Sequence, residues 1–176
     1  DHVLRREMRQ MENGWASTAM IEGSKIRLQR LGFFKEVNVE TPAVLGVEDQ
    51  IDVNFTVEEQ PSGSISATVG YAENRGLILG LGYQESNVFG TGNSINIGVN
   101  RSDFQTSLSL SFFDPYFTVD GVSRGYSISY RKSDFEDFNV ASFSTDSIGA
   151  NVSFGYPISE ISRINFNIGF ENTQIE

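Results

Sequence analysis

From Gly63 onward, apolar and small polar residues alternate in segments of about ten separated by turn residues. That is the pattern of antiparallel strands with lipid against one face and water against the other. The first segment is Gly63-Ser64-Ile65-Ser66-Ala67-Thr68-Val69-Gly70-Tyr71-Ala72. After a turn at Glu73-Asn74-Arg75-Gly76, Leu77, Leu79, Leu81 and Tyr83 oppose Ile78, Gly80, Gly82 and Gln84. A glycine turn from Asn87 to Asn93 leads to Ile95, Ile97 and Val99. A short turn at Arg101-Ser102-Asp103 then leads to Thr106, Leu108, Leu110 and Phe112 against Ser107, Ser109 and Ser111. The Pro- and Gly-containing connection from Asp114 to Gly121 breaks the alternation. It resumes with Tyr126, Ile128 and Tyr130, with Ile148 to Tyr156, and with Ile164 to Phe170. A polar loop at Ser133 to Ser142 and a tight turn at Pro157 to Glu160 separate these.

A different periodicity governs residues 1–60. Leu4, Met8, Met11 and Trp15 recur at helical spacing among Arg5, Arg6, Glu7, Arg9 and Glu12, which predicts an amphipathic helix with a charged outer face, ended by Asn13-Gly14. A second helix is expected to start at a Ser17 or Thr18 cap, run through Ile21, Ser24, Leu28 and Leu31, and stop at Gly32. The period then becomes two at Val37 and Val39, and again at Ile51, Val53, Phe55 and Val57 after a loop from Pro42 to Gln50. Helix, helix, strand, strand gives a thin two-stranded sheet, marginal unless another strand completes it. That strand is expected before Asp1. Phe33 and Phe34 read as hinge and core residues.

Two features separate a barrel in lipid from a soluble β-sandwich. A sandwich exposes charge on its outer faces, whereas here the second face is Ser, Gly and Asn, suited to a watery lumen. Tyr83, Phe89, Phe112, Phe113, Tyr116, Phe117 and Tyr156 also gather at predicted strand ends, as interfacial girdles require. An open sheet of about seven strands would leave unpaired backbone in hydrocarbon. The barrel is therefore expected to be incomplete, with its other strands beyond Glu176. The expected fold is an α+β domain at 1–60 followed at 62–176 by antiparallel transmembrane β-barrel strands.

Composition narrows the chemistry. A net charge of -10 over 176 residues repels a phosphate backbone, so nucleic acid is set aside as a partner. The absence of Cys removes disulfides and thiolate sites. His2 is the only histidine and implies no metal. The glycines from Gly76 to Gly82 lie in a strand with no following helix to receive a phosphate. Asp103, Asp114 and Asp120 read as turn formers, and no catalytic constellation emerges.

Several pieces together carry a family resemblance. Val3-Leu4-Arg5-Arg6-Glu7-Met8-Arg9-Gln10-Met11, the Gly32-Phe33-Phe34 turn, the Gly90-Thr91-Gly92 turn and Asp114-Pro115-Tyr116-Phe117-Thr118-Val119-Asp120-Gly121 resemble, in order and spacing, the BamA family of outer-membrane insertases. The likeness covers essentially the whole chain: a last POTRA domain lacking its first strand, then the opening barrel strands. TamA-like translocation proteins share this architecture, and the Asp114 to Gly121 turn favours the former. The resemblance implies a bacterial outer membrane with the N-terminal domain in the periplasm, and assembly and insertion of barrel proteins. It implies no cofactor and no enzymatic step. It also implies that Gly63 to Ala72 is a lateral gate, at which unfolded outer-membrane barrel clients pair their terminal strand. Gly63 and Gly70 weaken a strand, and Ser64, Ser66, Ala67 and Thr68 offer little packing to a partner, which agrees. Accessory lipoproteins of the Bam complex are implied partners, with BamD at the POTRA domain and Arg9 and Glu12 on the first helix as its contacts. A passive channel and a barrel enzyme are the competing classes. A porin needs no fused helical domain, and an enzyme needs a Ser/His or carboxylate site absent from this stretch.

Overall fold

Leu28, fully buried, is the centre of the first of two units into which the chain divides, Asp1–Ser62 and Gly63–Glu176. The computed structural model describes residues 2–73, 76–134, 143–159 and 162–175. In the first unit, α1 (His2–Glu7) and α2 (Thr18–Arg30) accompany an antiparallel pair, β1 (Phe34–Glu40) and β2 (Asn54–Glu59). Ile21, Ser24 and Leu28 form the buried stripe of α2, at the spacing that presents one helical face. Leu31 caps the helix and Gly32 turns the chain at φ 71°, a conformation that favours glycine. Phe33 and Val37 complete the core beside Val3 and Ile21. Phe33 and Phe34 meet edge to face at 6.3 Å. Val37 pairs Val57, and Val39 pairs Phe55.

Three expectations for this unit need correction. The first helix stops at Glu7, well short of Asn13-Gly14, and its buried face is Val3 and Glu7. Met11 and Trp15 are exposed, at 80% and 98%. Local hydrogen bonding diverts the chain: the Arg9 N–H donates to Ser24 Oγ at 2.8 Å, and the Gln10 side chain reaches Trp15 O and the Ser17 N–H. Glu7 is not on a charged outer face. It is buried, accepting from Arg27 Nη2 at 2.7 Å and Nε at 3.0 Å, with Arg6 Nε 3.7 Å away. The second strand begins only at Asn54, because the segment before it forms a lone bridge between Ala43 and Ile51.

The second unit is one antiparallel sheet in sequence order: β3 (Gly63–Ala72), β4 (Gly76–Glu85), β5 (Ser94–Arg101), β6 (Gln105–Asp114), β7 (Ser123–Asp134), β8 (Ser144–Ser159) and β9 (Ser162–Ile175). Every strand pairs only its sequence neighbours, so β3 and β9 each have one free edge among the described residues. The turn after Asn87 is a 3₁₀ turn, Val88–Gly90, with Phe89 at φ 52°. Asn74, Arg75, residues 135–142 and Glu160, on which three expected turns fall in part, lie outside the described residues. The tight turn does not begin at Pro157, since β8 runs to Ser159 and accommodates Pro157 with a shift of register against Arg163.

Register separates the faces. Ser66 pairs Gly82, Gly98 pairs Ser109, Ser129 pairs Gly149, and Gly125 pairs Ser153. These small residues share one face, while Leu81, Val99, Leu108, Tyr130 and Ile148 form a row on the other. Phe113 departs from the girdle reading. It lies on the small-residue face, paired with Gly125. Among the described residues, every buried apolar side chain belongs to the first unit. The apolar face of the sheet is bare, with Ile65, Leu81, Ile128 and Phe166 all exposed.

Candidate functional site

A sheet with no core beneath it needs a non-aqueous medium against its apolar face. The outward residues of β7 show how wide that medium is. Arg124 and Lys132 bracket Tyr126, Ile128 and Tyr130, eight positions apart on the same face. At ~3.4 Å per residue this is about 27 Å of strand, or about 20 Å of height at the tilt typical of such strands. A bilayer's apolar band is of that order. Each bracketing cation has an acid on the neighbouring strand. Arg124 Nη2 stands 3.9 Å from Asp114, with its guanidinium 3.8 Å over the Phe117 ring. Lys132 Nζ stands 3.9 Å from Asp146, which also accepts from the Tyr130 hydroxyl at 3.5 Å.

The opposite face is crowded. A Cβ at Gly82 would stand 2.6 Å from Ser66 Oγ, one at Gly98 2.8 Å from Ser109 Oγ, and one at Gly149 2.8 Å from Ser129 Oγ. Gly125 and Gly155 meet Ser153 and Ser123 in the same way. Glycine therefore recurs on this face where a neighbouring strand's hydroxyl already fills the space of a methyl group.

At the edge of this array lies β3. All ten of its residues pair with β4, from Gly63 with Glu85 to Ala72 with Gly76, and its other edge has no partner strand among the described residues. Ile65, Val69 and Tyr71 are its large apolar residues, each at least three-quarters exposed. Ser66 and Thr68 sit on the small-residue face opposite Gly82 and Gly80. Nothing lies within 4 Å of a Cβ built at Gly70. Gly63, Ser64, Ala67 and Ala72 add no large side chain. The strand thus offers a row of backbone donors and acceptors and little side-chain bulk to hinder a second strand.

The structure does not keep Arg9 and Glu12 on the first helix. Both follow its end, in the segment that returns toward α2. Glu12 accepts from Arg5 Nη1 at 3.1 Å in an exposed pair. Beside it opens a cleft of about 920 Å³ lined by Leu4, Met8, Met11, Trp15, Ile51 and Phe55, among others. Exposed Met and Trp next to an ion pair make an apolar patch with a charged rim. The buried Glu7–Arg27 pair was invisible to helical spacing alone, which set Glu7 with its charged neighbours.

Residues 87–176 match the family model described as the Omp85 superfamily domain, and residues 1–60 match the POTRA model, described as a surface antigen variable number repeat. The outer membrane protein assembly factor BamA of Neisseria meningitidis serogroup B is 34% identical over 177 residues, covering 99% of this chain and 22% of that protein. The BamA of Buchnera aphidicola is 28% identical over 175 residues, covering 99% of this chain and 28% of its own length. This chain therefore spans about a quarter of the curated relatives it matches. Among solved structures, Haemophilus ducreyi BamA lacking POTRA domains 1–3 superposes over 100% of this chain and 33% of that one, at TM-score 0.82 and 34% identity. CdiB from Acinetobacter baumannii, at 14% identity and TM-score 0.64 over 98% of this chain and 35% of its own, shares the fold.

Proposed function

This chain belongs to the Omp85 superfamily, and from that premise we propose that it is the gate-bearing part of an outer-membrane machine that assembles and inserts β-barrel proteins. Its first unit is the periplasmic domain and its sheet the opening strands of the barrel. The observation that carries this reading is the light side-chain load of the sheet-edge strand β3, in which Ile65, Val69 and Tyr71 are the large residues. Lateral opening exposes that edge to lipid, and the terminal strand of an unfolded client pairs with it by β-augmentation. No nucleotide is needed. The client's burial of apolar surface in lipid, together with pairing of its own backbone, drives the reaction.

The test uses the full-length parent in liposomes with its accessory lipoproteins, timing the folding of a urea-denatured client barrel. A disulfide tying β3 to the strand that closes the barrel is expected to abolish the acceleration, and reduction to restore it. Acceleration that survives the lock refutes the gate; solute passage without any acceleration supports a channel.

An accessory lipoprotein of the BamD type docks on the first unit in this reading, at the Arg5–Glu12 pair and the exposed Met11 and Trp15, with Arg9 flanking them. Glu12→Lys is expected to reduce co-purification of the lipoprotein several-fold while leaving client-independent folding of the barrel unchanged. Equal yields from both proteins remove Glu12 from the interface.

A further inference from the structure

The register aligns Leu79, Arg101, Thr106, Lys132, Asp146 and Gln174 as one row across β4 to β9, on the apolar face. It is the row nearest the β5–β6 turn that carries charge. Arg101 and Lys132 lie on alternate strands with Thr106 on the strand between them, so their backbones are about 10 Å apart. Side chains of that length converge readily from such a separation, and the threonine hydroxyl lies between their bases. Arg101 is exposed and has no ion pair among the described residues. Lys132 is half exposed and stands 3.9 Å from Asp146, the same separation as Arg124 from Asp114. At the other border of the apolar band the arrangement is different. Arg124 is matched one to one by Asp114 and covered by Phe117, with its side chain only 27% exposed. Arg101 is thus the exposed cation of the first border, where Lys132 faces Asp146 across the register and Asp134 follows Lys132 on the same face one row farther out.

We propose that Arg101, Thr106 and Lys132 form a site for the phosphate of a membrane lipid, whose acyl chains lie on Leu108, Val99 and Leu81 directly beneath. Two cations flanking a hydroxyl match a phosphate monoester's charge and acceptor count. Headgroup phosphates sit at the level where the apolar band ends, and juxtamembrane cations gain most from anionic lipid there. This rests on the outer-membrane reading above. Given the first unit in the periplasm, the strand order places this row in the outward leaflet, so the ligand class is a phosphorylated lipid of that leaflet. The site is a lipid collar beside the first strands, holding one headgroup against β5 to β7.

The experiment is native mass spectrometry of the full-length parent released from nanodiscs that contain a diphosphorylated glycolipid, with its dephosphorylated form as the comparison. Wild type is expected to retain the phosphorylated lipid preferentially. Arg101→Gln is expected to lower retention about fivefold, and Arg101→Gln with Lys132→Gln up to about thirtyfold. Arg101→Lys is expected to keep most of it, and Arg124→Gln all of it. Equal retention by the double variant and wild type overturns the site, as does equal retention of the two lipids. Competition by inorganic phosphate, with no lipid retained, assigns an anion site and overturns the lipid. If the parent fails to enter nanodiscs at all, the membrane reading itself falls; if it enters and retains lipid without discrimination, only this inference falls.

Discussion

Glycine opposite a hydroxyl residue is the pairing that recurs on the small-residue face of the sheet. At Gly82 the space a methyl group needs is already held by Ser66 Oγ, which leans across from β3. Gly82→Ala is therefore expected to destabilise the folded barrel in lipid by about 1–3 kcal/mol, and Ser66→Gly in the same chain to recover most of that. Urea unfolding of the full-length parent in vesicles measures both; a double variant no better than the single one refutes the steric account. The residue scale also holds the clearest surprise in the first unit. Glu7 is buried between α1 and α2, hydrogen-bonded twice by Arg27. Removing one partner from such a pair costs far more than the pair itself contributes, because the other charge stays buried.

At the scale of elements, alternation decides both the strand and the face it turns to lipid. Along β6 the outward residues are Thr106, Leu108, Leu110, Phe112 and Asp114, polar at each end and apolar between. An arginine scan along them reads the height of the bilayer directly. Leu110→Arg is expected to cost about 2–4 kcal/mol and Thr106→Arg about 0–1, measured by denaturant unfolding in vesicles. A flat profile would place the sheet outside the hydrocarbon. The first helix follows its apolar spacing only in part. The repeat of Leu4, Met8, Met11 and Trp15 continued past the point where α1 stops, because Ser24 and Gln10 supply hydrogen bonds that divert the backbone after Glu7. Apolar spacing reports which residues could share a helical face, and says nothing of competing side-chain partners. In α2 no such competitor intervened, and Ile21, Ser24 and Leu28 took the buried stripe that their spacing predicts.

Taken whole, the molecule joins a small conventional core to a sheet with no buried apolar side chain among the described residues. Leu28, Val37 and Phe33 bury in the first unit, whereas Ile65, Leu81 and Phe166 stay bare in the second. Slow hydrogen exchange in β5 to β8 is accordingly expected for the parent in detergent micelles or vesicles, and rapid exchange with aggregation when the amphiphile is withdrawn. Protection in plain buffer would mean that the apolar face is covered by protein. The sequence by itself determined the strands, their two faces and the change of architecture at Gly63, because a period of two is a local property that each segment carries in its own residues. It also carried the light side-chain load of β3, in Gly63, Ser64, Ser66, Ala67, Thr68 and Gly70. Tertiary structure alone decided what stands beside what. Arg101, Thr106 and Lys132 become neighbours only through two strand registers, and Glu7 meets Arg27 only because two helices pack. Register and packing are set by many residues acting together across the sheet and the core, so no single stretch of chain encodes them.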